Sequence, residues 1–170
     1  ASRWAFEAYM VTQFKDNPYE KQFYELDQQV ALSEYKKIYY IGELETRLNY
    51  VLNNRNKWRD RSESNPVKKS LDLLRSEIGF ELRKIGTDRF PELDKLQIGK
   101  FDSLTFHKTD TFLRTLSQYY SIRMAKAQTE KEKIIASLTD TPEKLKQYNN
   151  NRMMHENESV IFVAVEPNGH

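Results

Sequence analysis

The sequence contains no cysteine, which excludes a disulfide framework and thiolate metal sites. Glycine and proline are scarce, with five of each in 170 residues, so few positions force a turn or a break. Positive and negative charges nearly cancel, at 27 Lys plus Arg against 25 Asp plus Glu. A net charge of +2 gives no reason to expect nucleic acid as a partner.

Long apolar runs are also missing, since no stretch approaches the roughly 20 residues that a membrane-spanning helix needs. A content of 38% hydrophobic and 31% charged residues is typical of a soluble domain, and the length suits a single domain. The first residue is alanine rather than methionine. We therefore expect the chain to be part of a longer protein, with any membrane anchor outside these residues.

Motifs for nucleotide or metal chemistry are absent: the sequence has no GxxxxGK[ST], no GxGxxG and no HExxH. Three histidines without a cysteine make a poor set of transition-metal ligands. We predict that the chain contains no catalytic residue and binds no cofactor and no metal ion. A helical enzyme whose site is assembled from distant residues is a further alternative.

Three prolines follow a residue that caps helices well and stand where a helix can begin. The pairs are Asn17-Pro18, Asn65-Pro66 and Thr141-Pro142. Apolar residues recur at helical spacing after the first two pairs, which predicts one helix over 18–62 and a second over 66–85. A short polar connection with its tip at Ser62 to Asn65 joins them as an antiparallel hairpin.

The pattern further predicts a long helix from Thr109 to Leu138 and a shorter one after Pro142. Four of the six residues from Val160 to Val165 are valine or isoleucine, which favours a strand. The expected fold class is all-α, an elongated antiparallel helical bundle with room for one short C-terminal strand. We expect a single domain, with an apolar helix over 1–16 and the bundle over 17–170.

The stretch RNKWRDR places four cations around Trp58, namely Arg55, Lys57, Arg59 and Arg61. On a helix, residues two apart face nearly opposite sides, so these cations do not form one stripe for nucleic acid. We predict instead that they lie in the last turns of the first long helix, where positive charge complements the helix dipole.

Tyrosine is abundant, with ten in the chain. Two clusters are candidates for a partner surface: Tyr35, Tyr39 and Tyr40, and Tyr119 and Tyr120. The alternative is that these rings form the amphipathic edge of the bundle core, with the ring inside and the hydroxyl in water.

Apolar side chains surround most of the predicted helix over 1–16. Arg3 and Trp4 suit a headgroup boundary, so lipid or neighbouring membrane helices are candidate partners. The alternative is a helix docked on the core of its own domain.

The stretch Arg3-Trp4-Ala5-Phe6-x-Ala8, followed by Gln13-Phe14, resembles the segment after the fifth transmembrane helix in G-type ATP-binding-cassette exporters with a type-2 permease. There an R-[WY]-[AG]-F-x-A-L motif opens the large external loop. This version is similar to fused cassette–permease proteins of Bacteroidetes-like bacteria. The resemblance covers about 20 residues and departs at Tyr9, where the family usually has Leu.

The resemblance implies that the chain is the external domain of such an exporter, held at the inner membrane and facing the periplasm. ATP and magnesium then bind the cytoplasmic cassettes of the parent protein and not this chain. The residues that match the motif would couple the domain to the permease near the membrane: Arg3, Trp4, Phe6, Ala8 and Phe14.

The implied partners are the permease helices of the same parent chain, an exported substrate or periplasmic protein, and a second copy of the domain. Gating of substrate exit, substrate contact and partner docking all stay open as roles. The alternative function is a soluble helical adaptor or scaffold that binds other proteins.

Overall fold

The computed structural model describes residues 18–164, with side chains from 23 to 153, and every regular element in that range is helical. The α-helices are α1 (Pro18–Tyr35), α2 (Ile41–Asn53), α3 (Pro66–Ile85), α4 (Ser103–Leu138) and α5 (Pro142–Ala164). A π-helical segment, Lys36–Tyr40, joins α1 to α2. Short 3-10 turns cover Arg55–Lys57, Thr87–Arg89 and Pro91–Lys95. The predicted all-α class is confirmed.

Three of the helices begin at the predicted prolines, which are Pro18, Pro66 and Pro142. The side-chain oxygen of Asn65 accepts a hydrogen bond from the Val67 N–H at 3.0 Å. The hydroxyl of Thr141 accepts one from the Lys144 N–H at 3.3 Å. Both caps satisfy donors that the first helical turn leaves unpaired. The first predicted cap, Asn17, lies outside the described residues.

The first long helix ends earlier than predicted, because α2 ends at Asn53 and not near Ser62. The indole N–H of Trp58 donates to the Val51 carbonyl at 2.7 Å. That bond satisfies a carbonyl of the last helical turn, so the chain can leave the helix there. The prediction for the four cations is therefore wrong: Arg55, Lys57, Arg59 and Arg61 all follow the end of α2.

The antiparallel hairpin is confirmed between 36–53 and α3, with a longer connection than predicted. Lys36 contacts Glu81, and Tyr40 contacts Glu77. Residue numbers thus increase along the π segment while those of their partners decrease along α3, which is the antiparallel arrangement. The amide of Asn65 donates to two backbone carbonyls of the connection, at 2.9 and 2.7 Å. Apolar residues of α2 and α3 are buried between them, and include Leu44, Leu48, Leu71, Leu74 and Ile78.

The helix predicted from Thr109 begins at Ser103 instead. Asp102 caps it, since one carboxylate oxygen accepts from both the N–H and the hydroxyl of Thr105, at 2.7 and 2.6 Å. A further turn therefore forms ahead of the apolar pattern. A 3-10 helix, Pro91–Lys95, lies in the connection ahead of α4.

The predicted strand over Val160 to Val165 is wrong for 160–164, which form the end of α5. Strand preference depends on a neighbouring strand and on packing. A helix satisfies its own backbone groups, whereas a lone strand leaves them unpaired. No strand lies within 18–164 to serve as a partner. Val165 is outside the described residues.

The described chain divides into two compact units. Residues 18–31 and 124–164 belong to one, in which Phe23 and Ala127 are buried. Residues 32–123 form the other, and they hold the main apolar core. The predicted helix over 1–16 lies outside the described residues. The single domain over 17–170 and its elongated bundle stay predictions.

Candidate functional site

The five tyrosines of the predicted partner surface fall into two groups. Tyr35, Tyr39 and Tyr119 are exposed, at 55%, 67% and 42% of their surface. The first two rings stack with their centroids 6.0 Å apart. Tyr40 is half-buried and Tyr120 is buried, and the hydroxyls of both bind carboxylates. Only three of the five side chains are thus available to a partner.

Tyr40 and Tyr120 belong to a network centred on Glu81 of α3, and that glutamate is fully buried. Lys36 donates to one carboxylate oxygen at 2.7 Å, and the Tyr120 hydroxyl donates to the other at 2.6 Å. Lys84 lies 3.6 Å from the first oxygen. The Lys36 ammonium also stands 3.4 Å from the ring centroid of Tyr40, a cation–π contact.

The electrostatics of the network follow from these contacts. Burial raises the pKa of Glu81, but hydrogen bonds from Lys36 and Tyr120 outweigh it and leave that pKa below its ordinary value. Burial raises the pKa of Tyr120, and the bond to Glu81 raises it further. The pKa of Tyr40 is raised by burial and then by its hydrogen bond to Glu77, at 3.0 Å. The network therefore holds an ionised glutamate and two neutral phenols.

This arrangement ties α3 to the π segment and to α4 through one buried carboxylate. Both oxygens of Glu81 have a partner, and neither Glu81 nor Lys36 lines the cavity described below. Sequence reasoning missed the network, because Glu81 looks like any carboxylate on a helix face. Its two hydrogen-bond partners are 45 and 39 residues away along the chain.

A cavity of about 760 Å³ lies in the unit formed by 32–123, between the loop after α3 and the first half of α4. Gly86, with a φ of 111°, turns the chain out of α3 into that loop. Phe90 and Phe112 form the floor, with ring centroids 5.0 Å apart, and Leu116 extends it. The cavity thus has an apolar floor made of core residues.

Charged side chains stand at the rim of the cavity. Lys108 forms an ion pair with Glu92, and that hydrogen bond lowers the pKa of the Glu92 carboxyl. Arg89 is exposed and makes no ion pair with any residue of the described part of the chain. The sequence contained no signal for this cavity, since its lining comes from two elements and the loop between them.

The predicted coupling residues Arg3, Trp4, Phe6, Ala8 and Phe14 lie outside the described residues. Among residues 23–153, whose side chains the structure describes, no three potential metal ligands converge on one point. Within 18–164, no helix combines the length and apolar character needed to cross a bilayer. Comparison of the chain with models of protein families, with curated proteins and with solved structures finds no match.

Proposed function

We propose that this chain is the extracytoplasmic domain of an ATP-driven cassette exporter, inserted between two membrane helices of its permease. It faces the periplasm at the inner membrane and has no catalytic role of its own. The motif from Arg3 to Phe14 supports the proposal by its resemblance to the start of that domain. ATP and magnesium belong to the cassettes of the parent.

One contact carries the proposal. Lys131 of α4 donates to Asp27 of α1 at 2.6 Å, although the two residues are 104 positions apart. The Lys131 ammonium also lies 5.4 Å from the ring centroid of Phe23. A domain inserted between neighbouring membrane helices must leave and re-enter the same surface, so its entering and leaving segments need to be close. The contact supports the proposal because it brings α4 back to the first described helix, as a chain that returns to its starting surface requires.

We propose a role in gating or binding rather than in catalysis. The domain gates the external exit, contacts the substrate as it leaves, or docks a periplasmic protein. Its first partners are the permease helices of the same chain, reached through the segment that holds Arg3, Trp4 and Phe6. A second copy of the domain is a further partner, because such exporters work as dimers.

A labelling experiment on the full-length parent tests the location. Ser64 is exposed and makes no hydrogen bond with the described residues, so Ser64→Cys introduces an accessible thiol into a chain that has none. In spheroplasts with an intact inner membrane, a membrane-impermeant maleimide should label this variant. The parent without the substitution is the control. Labelling only after lysis would contradict the proposal.

A soluble helical adaptor is the second candidate, favoured by the exposed stack of Tyr35 and Tyr39. Leu32 and Ile38, which are close to these tyrosines in the sequence, are also exposed, at 48% and 54%. Apolar side chains grouped on one surface are typical of protein contacts. The same labelling experiment separates the candidates, because an adaptor in the cytoplasm reacts only in lysed cells.

A further inference from the structure

We infer that the cavity over Phe90 and Phe112 binds an amphipathic anion, a molecule with one apolar chain and one carboxylate, such as a medium-chain fatty acid. The inference goes beyond the proposed function, which assigns no ligand to this cavity. It needs only the unit formed by 32–123, so it stands whether or not the parent is an exporter.

The floor of the cavity accepts an apolar chain. Phe90, Phe112 and Leu116 belong to the buried core, so their positions are held by packing on the side away from the cavity. A volume of about 760 Å³ lies within the range of small-molecule sites, about 300–1,000 Å³. The cavity is therefore large enough for a medium-chain amphiphile and presents a rigid apolar surface to it.

Two threonines of the helical wall need no hydrogen-bond partner from a ligand. Thr111 and Thr115 line the cavity, and each hydroxyl donates to a carbonyl one turn earlier in α4, at 2.9 Å in both cases. Both hydroxyl donors are therefore already hydrogen-bonded to the backbone of α4. The threonines can therefore meet a ligand through their methyl groups, which suits a hydrocarbon chain.

The charge at the rim selects an anion. Among the lining residues Glu92 is the acidic one, and it is neutralised by its ion pair with Lys108. Arg89 adds a positive charge that no residue between 23 and 153 pairs with. A guanidinium presents two parallel N–H donors that match a carboxylate. An anionic head group at Arg89 with its chain over Phe90 satisfies both halves of the site.

Calorimetric titration of the purified 170-residue chain tests the ligand class. Dodecanoate, kept below its micellar concentration, should bind with one-to-one stoichiometry. Dodecyltrimethylammonium has the same chain with the opposite charge, and acetate has the head group without the chain. Neither should bind measurably. Equal binding of the cationic amphiphile, or of acetate, would overturn the inference.

Two matched pairs of variants test the location. Arg89→Gln should weaken dodecanoate binding roughly tenfold, as the loss of one charge-assisted pair predicts, while Arg59→Gln should not. Arg59 is also exposed but does not line the cavity.

Thr115→Trp should fill the cavity and abolish binding. Thr46→Trp is its control, since Thr46 is an exposed helical threonine outside the cavity with the same local bond, to the Gly42 carbonyl at 2.8 Å. Circular dichroism verifies that each variant is folded. Unchanged binding in folded Thr115→Trp would place the ligand elsewhere and end the proposal.

Discussion

At the residue scale, the chain buries the carboxylate of Glu81 completely and surrounds it with donors. A buried charge is expensive to desolvate, and only well-placed partners offset that cost. Lys36 and Tyr120 supply two close hydrogen bonds, at 2.7 and 2.6 Å. Removing one partner leaves the charge uncompensated, so this network should be among the most sensitive points of the fold.

Lys36→Met should lower the free energy of unfolding by roughly 3 kcal/mol, the loss typical of breaking a buried ion pair from one side. Lys84, at 3.6 Å, remains to offset part of the charge. Lys37→Met is the control, because Lys37 is exposed and its replacement should change stability by less than about 0.5 kcal/mol. Urea denaturation measures both, and equal effects would contradict the role given to the network.

The dependence of the unfolding free energy on acidic pH should reflect the ionisation of Glu81. Its pKa in the folded state is below the ordinary 4.5, so its contribution is present above about pH 4.5 and is lost as the pH falls through the folded value. In Glu81→Gln the unfolding free energy should therefore fall less steeply on acidification than in the wild type. Tyr120→Phe removes one donor and should give an intermediate slope.

Denaturation curves measured at a series of acidic pH values give these slopes. The expected order, from steepest to shallowest, is wild type, Tyr120→Phe, Glu81→Gln. A slope for Glu81→Gln equal to that of the wild type would show that this carboxylate does not change its pKa on folding.

At the element scale, the π-helical segment Lys36–Tyr40 interrupts an otherwise continuous helix. A π turn closes with one more residue than an α turn, so it absorbs an extra residue without rotating the flanking helices. Here the turn brings Lys36 and Tyr40 to α3, while Ile41 and Leu44 begin the buried face of α2. The π segment therefore places the polar contacts of Lys36 and Tyr40 directly before the apolar face of α2.

Deletion of Ile38, an exposed residue of the π segment, should convert the turn to α-helix and keep both flanking faces in place. Deletion of Thr46 in α2 has no extra residue to absorb it and should turn Leu48 and Val51 away from the core by about 100°. Each fully buried aliphatic side chain contributes roughly 1.5–3 kcal/mol.

The deletion of Thr46 should therefore lower the free energy of unfolding by at least about 2 kcal/mol more than the deletion of Ile38 does. Thermal or urea unfolding compares the two. Equal losses would mean that the π segment holds no removable residue.

At the scale of the whole molecule, residues 18–31 and 124–164 form one compact unit and the intervening 32–123 form another. The ion pair between Asp27 and Lys131 is a direct side-chain contact within the first unit. Both side chains are partly exposed, at 53% and 35%, so the pair itself adds little stability. Its value is as a marker that the segments entering and leaving the larger unit are adjacent.

Asp27→Cys with Lys131→Cys should therefore cross-link within one molecule when treated with a short bis-maleimide, since the chain has no other thiol. Closing a loop of about 100 residues raises the unfolding free energy by up to about 4.7 kcal/mol in the chain-entropy model. Each single variant is a control that cannot cross-link internally. Cross-linked dimers without an intramolecular product would contradict the adjacency.

Local interactions account for what the sequence by itself determined. The all-α class, the helices beginning at Pro18, Pro66 and Pro142, and the antiparallel hairpin follow from caps and from apolar spacing, which act within about four residues of one another. The same reasoning predicted a strand over Val160 to Val165, and it is wrong for 160–164, which are helical. It failed because β-branched residues favour a strand only where a neighbouring strand exists.

The tertiary structure alone decided where α2 ends, which tyrosines face a carboxylate, and where a cavity forms. Trp58 ends α2 by folding back onto the Val51 carbonyl, and Tyr120 reaches Glu81 from another helix, 39 residues along the chain. Such contacts depend on how the helices pack. Spacing along one helix can place a glutamate or a tyrosine on a face, but only the opposing element determines whether that face meets water, a core or an ion.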